Sequence, residues 1–337
     1  MLRYSFRSAN LQNITKLSKR LSHVDYSEIP DNRKQKADPT SFVKVEKKGA
    51  EPIGTTQADY YQVPSAEKVK KEPSTFIKIE KDSPTSSATT HFGYQQVPED
   101  EKQSKVHTVF ANVADKYDLM NDAMSVGVHR LWKDYFTYRA KPMPNSKCVD
   151  VAGGTGDIAF RLLRQLQRAP NGTGDITVFD INQSMLDVGM NRAQNDKSLD
   201  LNKLRWICGN AEALPFENNS FDLYTIAFGI RNCTHIDKVL SEAYRVLKPR
   251  GRFMCLEFSK VNNIIKPFYE FYSFQIIPVL GQVLASDYNS YKYLVESIRM
   301  FPDQQQFARM INDAGFTDVS YENLSLGICS IHTGVKK

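Results

Sequence analysis

Short apolar runs alternate with segments of helical periodicity over the second half of the chain. The apolar runs have the length of β-strands. They lie near residues 148–152, 175–180, 204–208, 221–227, 252–258, 316–321 and 327–333. This alternation predicts an α/β fold, with a seven-stranded, mostly parallel sheet, helices on both of its faces and a hairpin at its end. A ligand of such a sheet binds at the carboxyl ends of the strands.

The first of these strands runs into a glycine-rich turn. Residues 148–157 read CVDVAGGTGD, with Asp150 near the end of the strand and three glycines in the turn. An amphipathic helical pattern, IAFRLLRQL, follows at once. A strand, a glycine turn and a helix bring backbone N–H groups and a helix N-terminus close to a ligand. The next strand ends in Asp180, whose carboxylate can accept hydrogen bonds from both hydroxyls of a ribose, so we expect a nucleoside-type cofactor.

Two cofactors fit the glycines. Gly154–Ala159, GTGDIA, satisfies the dinucleotide pattern G-x-G-x-x-A, with an acid about twenty residues further on. Asp150–Gly156, DVAGGTG, fits the S-adenosyl-L-methionine loop D/E-x-G-x-G-x-G, with Ala152 in place of the first glycine. Asp150 can meet the ammonium group of S-adenosylmethionine, whereas a carboxylate beside a pyrophosphate would gain nothing. Asp150 therefore favours the methyl donor.

A later strand supplies the adenine side of this site. The run at 204–208 leads into CGNAEALP at 208–215, where the Asn210 amide and the Ala211 backbone can pair with the edge of the ring. The predicted cofactor-binding residues are Asp150, Gly154, Thr155, Gly156, Asp180, Asn210 and Ala211.

Several long motifs resemble those of one enzyme family. The motifs are Val109–Phe136, Tyr244–Lys260 (YRVLKPRGRFMCLEFSK), Asp287–Phe307 and the ending GICSIHTGVKK. From about His91 to its end, the chain is similar to the ubiquinone/menaquinone-biosynthesis C-methyltransferases. It departs from them at Ala227, where bacterial relatives carry a serine, and in the sequence Lys-Pro-Arg-Gly, where two glycines are common.

The resemblance implies a fold, a reaction and a location. It implies the Rossmann-like fold of class I methyltransferases and S-adenosylmethionine-dependent methylation of a ring carbon of a methoxy-polyprenyl-benzoquinol. It also implies a peripheral position on the matrix side of the mitochondrial inner membrane. Other subunits of a ubiquinone-biosynthesis complex are the expected protein partners.

Methylation of a ring carbon also requires that the ring become more nucleophilic. A phenol ring becomes more nucleophilic when its O–H proton is lost. Arg231 follows the fourth strand and can hold an oxyanion or orient a water, or it can form a structural salt bridge. Asn232 can orient Arg231. Tyr117 packs over the cofactor or belongs to the core, and His129 is a proton acceptor or a core residue beside Trp132. Lesser candidates are Asp118, Asn121, Asp287 and Tyr288.

Composition and charge indicate the cellular compartment and the kinds of partner to expect. The formal charge is +6, and five Lys or Arg residues precede the first acid, Asp25, beside leucines at helical spacing. This start is typical of a mitochondrial transit peptide, with a basic disordered tail as the other interpretation. The folded part has no comparable basic cluster, so we expect no nucleic-acid partner. Five cysteines without metal-ligand spacing predict no metal site and a buried, reduced state.

An internal repeat precedes the domain. Pro39-Thr-Ser-Phe-Val-Lys-Val-Glu-Lys recurs 34 residues later from Pro73, in a polar composition that cannot order itself. We interpret it as a duplicated linker, with a docking motif as the alternative. The predicted organisation is a transit peptide and flexible N-terminus over 1–37, a largely disordered linker over 38–105 and an S-adenosylmethionine-dependent methyltransferase domain over 106–337.

Residues 264–284 are dense in aromatic and aliphatic side chains but are too interrupted to span a bilayer. The segment suits a wall for a polyprenyl tail, a homodimer face, a patch that rests on a membrane, or ordinary core. Three other functions stay open at this point. They are an NAD-dependent dehydrogenase, a methyltransferase of another small molecule and a non-catalytic subunit of a quinone-biosynthesis complex.

Overall fold

Residues 88–113, 121–122, 125–168, 171–277, 279, 282 and 288–337 are described by the structure, a computed structural model. The predicted transit peptide, the first copy of the repeat and the candidates Tyr117, Asp118 and Asp287 lie outside the described residues. The end of the second copy lies within them. It forms an antiparallel hairpin of β1 (Thr89–Phe92) and β2 (Gln95–Pro98).

A second, larger sheet positions the site. Its strands are β3 (Lys147–Val151), β4 (Asp175–Asp180), β5 (Leu204–Cys208), β6 (Phe221–Ala227), β7 (Leu247–Phe258), β8 (Thr317–Leu324) and β9 (Cys329–Val335). Their order across the sheet is β5-β4-β3-β6-β7-β9-β8. Strands β3 to β7 are parallel, whereas β9 is antiparallel to both β7 and β8. The predicted seven-stranded, mostly parallel sheet with a final hairpin is confirmed.

Helices cover both faces of this sheet. The described residues form α1 (Glu99–Val113), α2 (Val128–Ala140), α3 (Asp157–Gln167), α4 (Gln183–Asn195), α5 (Ile236–Val246), α6 (Lys266–Phe271), α7 (Tyr288–Met300) and α8 (Gln304–Asp313). Successive strand residues point to opposite faces, so Cys148 packs with α2, α3 and α4, whereas Val149 packs with α5 and α8. The predicted boundary of the domain at residue 106 falls inside α1.

The start of β7 differs from the predicted start of this strand at residue 252. Helix α5 ends at Val246, and Leu247 already pairs with Phe221 of β6. A register shift then separates this pair from the rest of the ladder, and Arg250 takes a left-handed conformation with φ of 66°. The Lys-Pro-Arg-Gly sequence is therefore a bulged beginning of the strand.

The N-terminal hairpin anchors α1 to the domain. The Phe92 ring stacks on Tyr293 of α7 with 4.2 Å between ring centroids, and the Tyr94 backbone N–H donates to Glu296 at 3.2 Å. Because α1 begins one residue after β2, these contacts fix where the helix starts.

The cysteine prediction is only partly correct. All five cysteines are free, and Cys148, Cys255 and Cys329 are buried. Cys233 is half-buried, and Cys208 is exposed because β5, which it ends, is an edge strand.

Helix α4 approaches β5 so closely that only glycine fits at one position. A Cβ on Gly189 would lie 2.6 Å from the Trp206 ring and 3.0 Å from the Thr155 carbonyl carbon. We expect Gly189→Ala to destabilise the protein by up to about 2 kcal/mol, because overpacking costs about 1–3 kcal/mol and the helix-propensity gain of about 1 kcal/mol offsets only part of it. Denaturant unfolding measures this, with the exposed Gln194→Ala on the same helix as the control. A more stable Gly189→Ala variant would contradict the close packing.

Candidate active site

The end of β3 carries a carboxylate that is buried and half-paired. Asp150 is 1% exposed, and its Oδ1 accepts a hydrogen bond from the Thr225 hydroxyl at 2.8 Å. Its Oδ2 has no hydrogen-bond partner among the described residues. Burial raises the pKa of Asp150 to about 7, although the Thr225 hydroxyl and the nearby Ala159 N–H favour the charged form. Such a group suits a cationic ligand, because the cation would supply the missing partner.

The turn after β3 is built from left-handed residues. Ala152, Gly154 and Gly156 have φ values of 51°, 52° and 80°, which explains the glycines at the last two positions. Ala152 adopts the same conformation with a side chain. Its Cβ occupies space beside Gly229, where an added Cβ would lie only 2.3 Å away. A small residue at 152 is therefore accommodated by a glycine on the loop after β6.

Asp180 ties the end of β4 to this turn. Its Oδ2 accepts from the Gly154 N–H at 2.8 Å, and its Oδ1 accepts from the Asn182 N–H at 2.8 Å. Burial raises the pKa of Asp180, and these backbone N–H groups oppose the rise. Each oxygen keeps a lone pair that can accept from a hydroxyl group of a ligand.

Asn210 and Thr155 both use their side-chain oxygens within the protein. Asn210 Oδ1 accepts from the Glu212 N–H at 2.9 Å, which leaves the Asn210 amide nitrogen as the group that can donate to a ligand. Thr155 Oγ1 accepts from Arg192 of α4 at 2.7 Å. The Arg192 guanidinium also lies 5.8 Å from the centroid of the Phe160 ring, so it fixes the turn from behind.

One cavity brings most of the predicted cofactor residues together. Its lining includes Asp150, Gly154, Thr155, Asp180, Asn210 and Ala211. Gly156 is not part of the lining, and it immediately precedes α3. The cavity is apolar over much of its wall, through Phe179, Met185 and Phe228, as expected for a site that takes a flat ring.

The predicted catalytic residues occupy different places. Asn232 lines the cavity, and its Oδ1 accepts from the Tyr293 hydroxyl at 3.0 Å. His129 lies outside the lining, with Nε2 2.9 Å from Asp122 Oδ1 and with a pKa that burial lowers. The lesser candidates Asn121 and Tyr288 are also absent from the lining.

Arg231 is held behind the cavity wall. Its Nη1 donates to the Phe228 carbonyl oxygen and to Glu257 Oε1, the latter at 2.8 Å, and its guanidinium lies over the Phe258 ring. Both members of the ion pair are buried. Burial raises the pKa of Glu257, and Arg231 opposes the rise. Among the described residues, Arg231 Nε and Glu257 Oε2 have no hydrogen-bond partner.

Helix α1 forms part of the cavity wall, which sequence reasoning did not anticipate. Its lining residues are Gln103, Val106, His107 and Phe110. The buried Lys102 donates to the Cys233 carbonyl oxygen at 2.9 Å, and Glu99 lies 3.2 Å from His235 Nε2. The other ring nitrogen of His235 lies 2.8 Å from Glu212, a lining residue. No local sequence signal could have found the contacts of Lys102 and Glu99, because each joins residues more than a hundred positions apart.

Lys133 and Asp157 are also lining residues that the sequence did not single out. Lys133 Nζ donates to Asp157 Oδ2 at 2.8 Å, and the Lys133 side chain is only 6% exposed. The one available signal was Asp157 at the end of the CVDVAGGTGD motif.

Comparisons with known proteins agree on one family. The model of the ubiE/COQ5 methyltransferase family matches residues 98–336. The mitochondrial 2-methoxy-6-polyprenyl-1,4-benzoquinol methylase of Caenorhabditis elegans is 60% identical over 230 residues, which cover 68% of this chain and 79% of that protein. The proteins of the same name from Dictyostelium discoideum and Homo sapiens are 53% and 51% identical and cover 80% and 79% of their own lengths, with 68% of this chain in each case.

The raised pKa of Asp150 predicts a pH-dependent affinity for S-adenosylmethionine. Asp150 binds a proton in the free protein below its pKa of about 7, but it must be ionised to pair with an ammonium group. Between pH 7 and 5.5 we therefore expect the dissociation constant to rise by up to about tenfold per pH unit, with one proton released on binding.

Calorimetry in buffers of different ionisation enthalpy measures both quantities. Asp150→Asn should bind more weakly and should lose this dependence, so the difference between the two proteins isolates Asp150 from the other groups of the cavity. An identical pH profile in both would show that Asp150 does not face the ammonium group.

Proposed function

The chain belongs to the ubiE/COQ5 methyltransferase family, and from this premise we propose that it methylates a ring carbon of 2-methoxy-6-polyprenyl-1,4-benzoquinol with S-adenosyl-L-methionine, in ubiquinone biosynthesis. The product is 2-methoxy-5-methyl-6-polyprenyl-1,4-benzoquinol. Relatives at 51–60% identity carry the name of this activity. The observation that supports this cofactor is the Asp150 Oδ2 atom, which has no hydrogen-bond partner among the described residues. It lies in the same cavity as Asp180 and Asn210.

The residues of the cavity fit the parts of S-adenosylmethionine. Asp150 offers an anion to the ammonium group, Asp180 offers lone pairs to the ribose hydroxyls, and the Asn210 amide faces the place of the adenine. A nicotinamide dinucleotide would instead place a pyrophosphate at the turn, where Asp150 would repel it. Asp150 therefore favours the sulfonium cofactor over the dinucleotide.

S-adenosylmethionine supplies a methyl group on a positively charged sulfur. When bound, it would give this methyl group to the ring carbon as its S–C bond breaks, and the proton of that ring carbon would then leave to a base or to water. The protein contributes by aligning the acceptor carbon behind the methyl group, since an in-line displacement depends on positioning. The wall of Ala227, Phe228 and Gly229 lies beside the cofactor residues and is where we place the acceptor ring.

Arg231 and Asn232 support this wall. Arg231 holds the Phe228 carbonyl oxygen, so its ion pair with Glu257 fixes the shape of the loop after β6. The Arg231 Nε–H lacks a partner among the described residues, but the side chain lies outside the cavity lining, so we propose that Arg231 acts on the acceptor through the loop that it holds. The guanidinium stays charged and acts as a donor, not as a base. Asn232, held by Tyr293, keeps its amide nitrogen for the same region.

Access of water to the cavity is limited by α1. The helix lies over the cavity through Val106 and Phe110 and is attached by Lys102 to the loop after β6. Exclusion of water strengthens the interaction between Asp150 and a cation, because charges attract more strongly at low dielectric.

The exposed apolar surface near α6 fits a lipid-soluble acceptor. Ile264, Phe268, Phe271 and Val279 are 88%, 76%, 60% and 56% exposed. Within the described residues, no helix is long and apolar enough to cross a bilayer. We propose that this surface rests on the matrix side of the mitochondrial inner membrane, where a polyprenyl quinol would be found. The mitochondrial relatives support the compartment. A homodimer face and contacts with other subunits of a ubiquinone-biosynthesis complex are further uses of the same surface.

Label transfer tests the proposed reaction directly. The full chain is incubated with S-adenosylmethionine carrying a ¹³C-methyl group and with a short-tailed 2-methoxy-6-prenyl-1,4-benzoquinol kept reduced by dithionite. We expect the label on ring carbon 5, read by NMR. Label on an oxygen would overturn carbon methylation, and transfer only to other acceptors would support a different small-molecule methyltransferase. Cofactor binding without any transfer would favour a non-catalytic subunit.

Two substitutions should separate binding from turnover. Asp180→Ala removes the acceptors for the ribose, so we expect the dissociation constant for S-adenosylmethionine to rise by about tenfold or more. Arg231→Ala should leave that constant within about threefold and lower kcat, because Arg231 lies outside the lining that holds the cofactor. Calorimetry and single-turnover rates measure the two effects. Equal loss of cofactor affinity in both variants would contradict this division of roles.

A further inference from the structure

The cavity contains a buried cation that the proposed reaction has not used. Lys133 projects from α2, is only 5% exposed and is the sole Lys or Arg among the described residues that line the cavity. A buried ammonium group is costly unless an anion pairs with it, and Asp157 Oδ2 at 2.8 Å provides that anion.

Asp157 does not depend on Lys133 alone. Its other oxygen, Oδ1, accepts from Arg161, which also binds Asp134 at 2.7 Å. Burial would raise the pKa of Asp157, but Lys133 and Arg161 outweigh burial and hold it well below its usual range. An ammonium group has three N–H donors, so Lys133 can bind a second anion while it keeps Asp157.

The amino-acid end of S-adenosylmethionine requires two opposite charges from its site. Its ammonium group needs an anion, for which Asp150 is placed. Its carboxylate needs a cation when it leaves water. The cavity side of α3 offers the start of an 11-residue helix, which favours negative charge, and Lys133 lies against the first residue of this helix.

We propose that Lys133 binds the carboxylate of the methionine part of S-adenosylmethionine, so that Asp150 and Lys133 together recognise a zwitterion. This inference rests on the cofactor of the proposed function and is independent of the acceptor. It assigns α2 a role in selecting the cofactor by its amino-acid end, in addition to the packing of α2 on the sheet.

Two other roles for Lys133 make different predictions. If Lys133 only joins α2 to α3 through Asp157, its loss should weaken every adenosine ligand to the same extent. If Lys133 instead holds an oxygen of the acceptor, its loss should change the KM of the acceptor and leave the affinity for the cofactor unaltered.

Calorimetry with four ligands distinguishes these roles without measuring turnover. The ligands are S-adenosylmethionine, S-adenosylhomocysteine, decarboxylated S-adenosylmethionine and 5′-methylthioadenosine, each titrated into the full chain. We expect Lys133→Met to weaken the two ligands that have the carboxylate by about tenfold to a hundredfold, as for the loss of a charged hydrogen bond. The two ligands without it should change by less than about twofold.

Matched variants control for charge and for folding. Lys105→Met removes an exposed lysine from α1, whose ion pair with Glu101 is solvated, and should change none of the four affinities. Asp157→Asn removes the structural partner of Lys133 and should preserve the preference for S-adenosylmethionine over its decarboxylated form. Lys133→Arg keeps the charge and should also preserve this preference, so it serves if Lys133→Met does not fold.

Equal weakening of all four ligands in Lys133→Met would overturn the inference, as would a wild-type protein that binds the decarboxylated cofactor as tightly as the intact one. These outcomes would leave the proposed reaction in place. A wild-type protein that binds none of the four ligands would overturn the proposed function and the inference with it.

Discussion

The burial of the Asp150 carboxylate governs the construction of the site. Asp150 lies on a strand flanked by β4 and β6, and Thr225 satisfies only one of its oxygens. The protein therefore holds this carboxyl group, either ionised or protonated, where water does not solvate it. Burial raises the pKa of this carboxyl to about 7, so it is poised to ionise when a cation arrives. The neighbouring turn, the loop after β6 and α1 all enclose this group.

The loops around Asp150 are held by residues from behind the cavity. Arg192 fixes the glycine turn through Thr155, Arg231 fixes the loop after β6 through the Phe228 carbonyl oxygen, and Tyr293 fixes Asn232. A site formed in this way loses little conformational entropy when it binds, because its groups are already in position. Ala152, which replaces the first glycine of the S-adenosylmethionine loop pattern, is also accommodated by a neighbouring loop, since Gly229 leaves room for its methyl group.

Opposite charges recur in pairs around the cavity. Arg231 and Glu257 are both buried, whereas the buried Lys133 pairs with a half-buried Asp157. A buried pair contributes little net stability, because desolvation offsets much of the attraction. The geometry of such a pair is nevertheless specific. The cation has more than one N–H donor, so it can bind a ligand while it keeps its hydrogen bond to the carboxylate. This property suits Lys133 and Asp157, which lie beside the site where we propose that both ends of an amino acid are recognised.

Local pattern alone was enough to predict the strands, the glycine turn and the acids that end β3 and β4. The predicted strands match to within two residues except at the start of β7 and the end of β8, because a bulge and an edge ladder obey no simple periodicity. Six of the seven predicted cofactor residues line one cavity, since the carboxyl ends of parallel strands meet at one edge. Tertiary structure alone decided the partners: Glu257 for Arg231, Tyr293 for Asn232, and α1 and Lys133 for the cavity wall. Sequence periodicity reveals which face of an element is buried, but the element that packs against that face depends on how the whole chain folds.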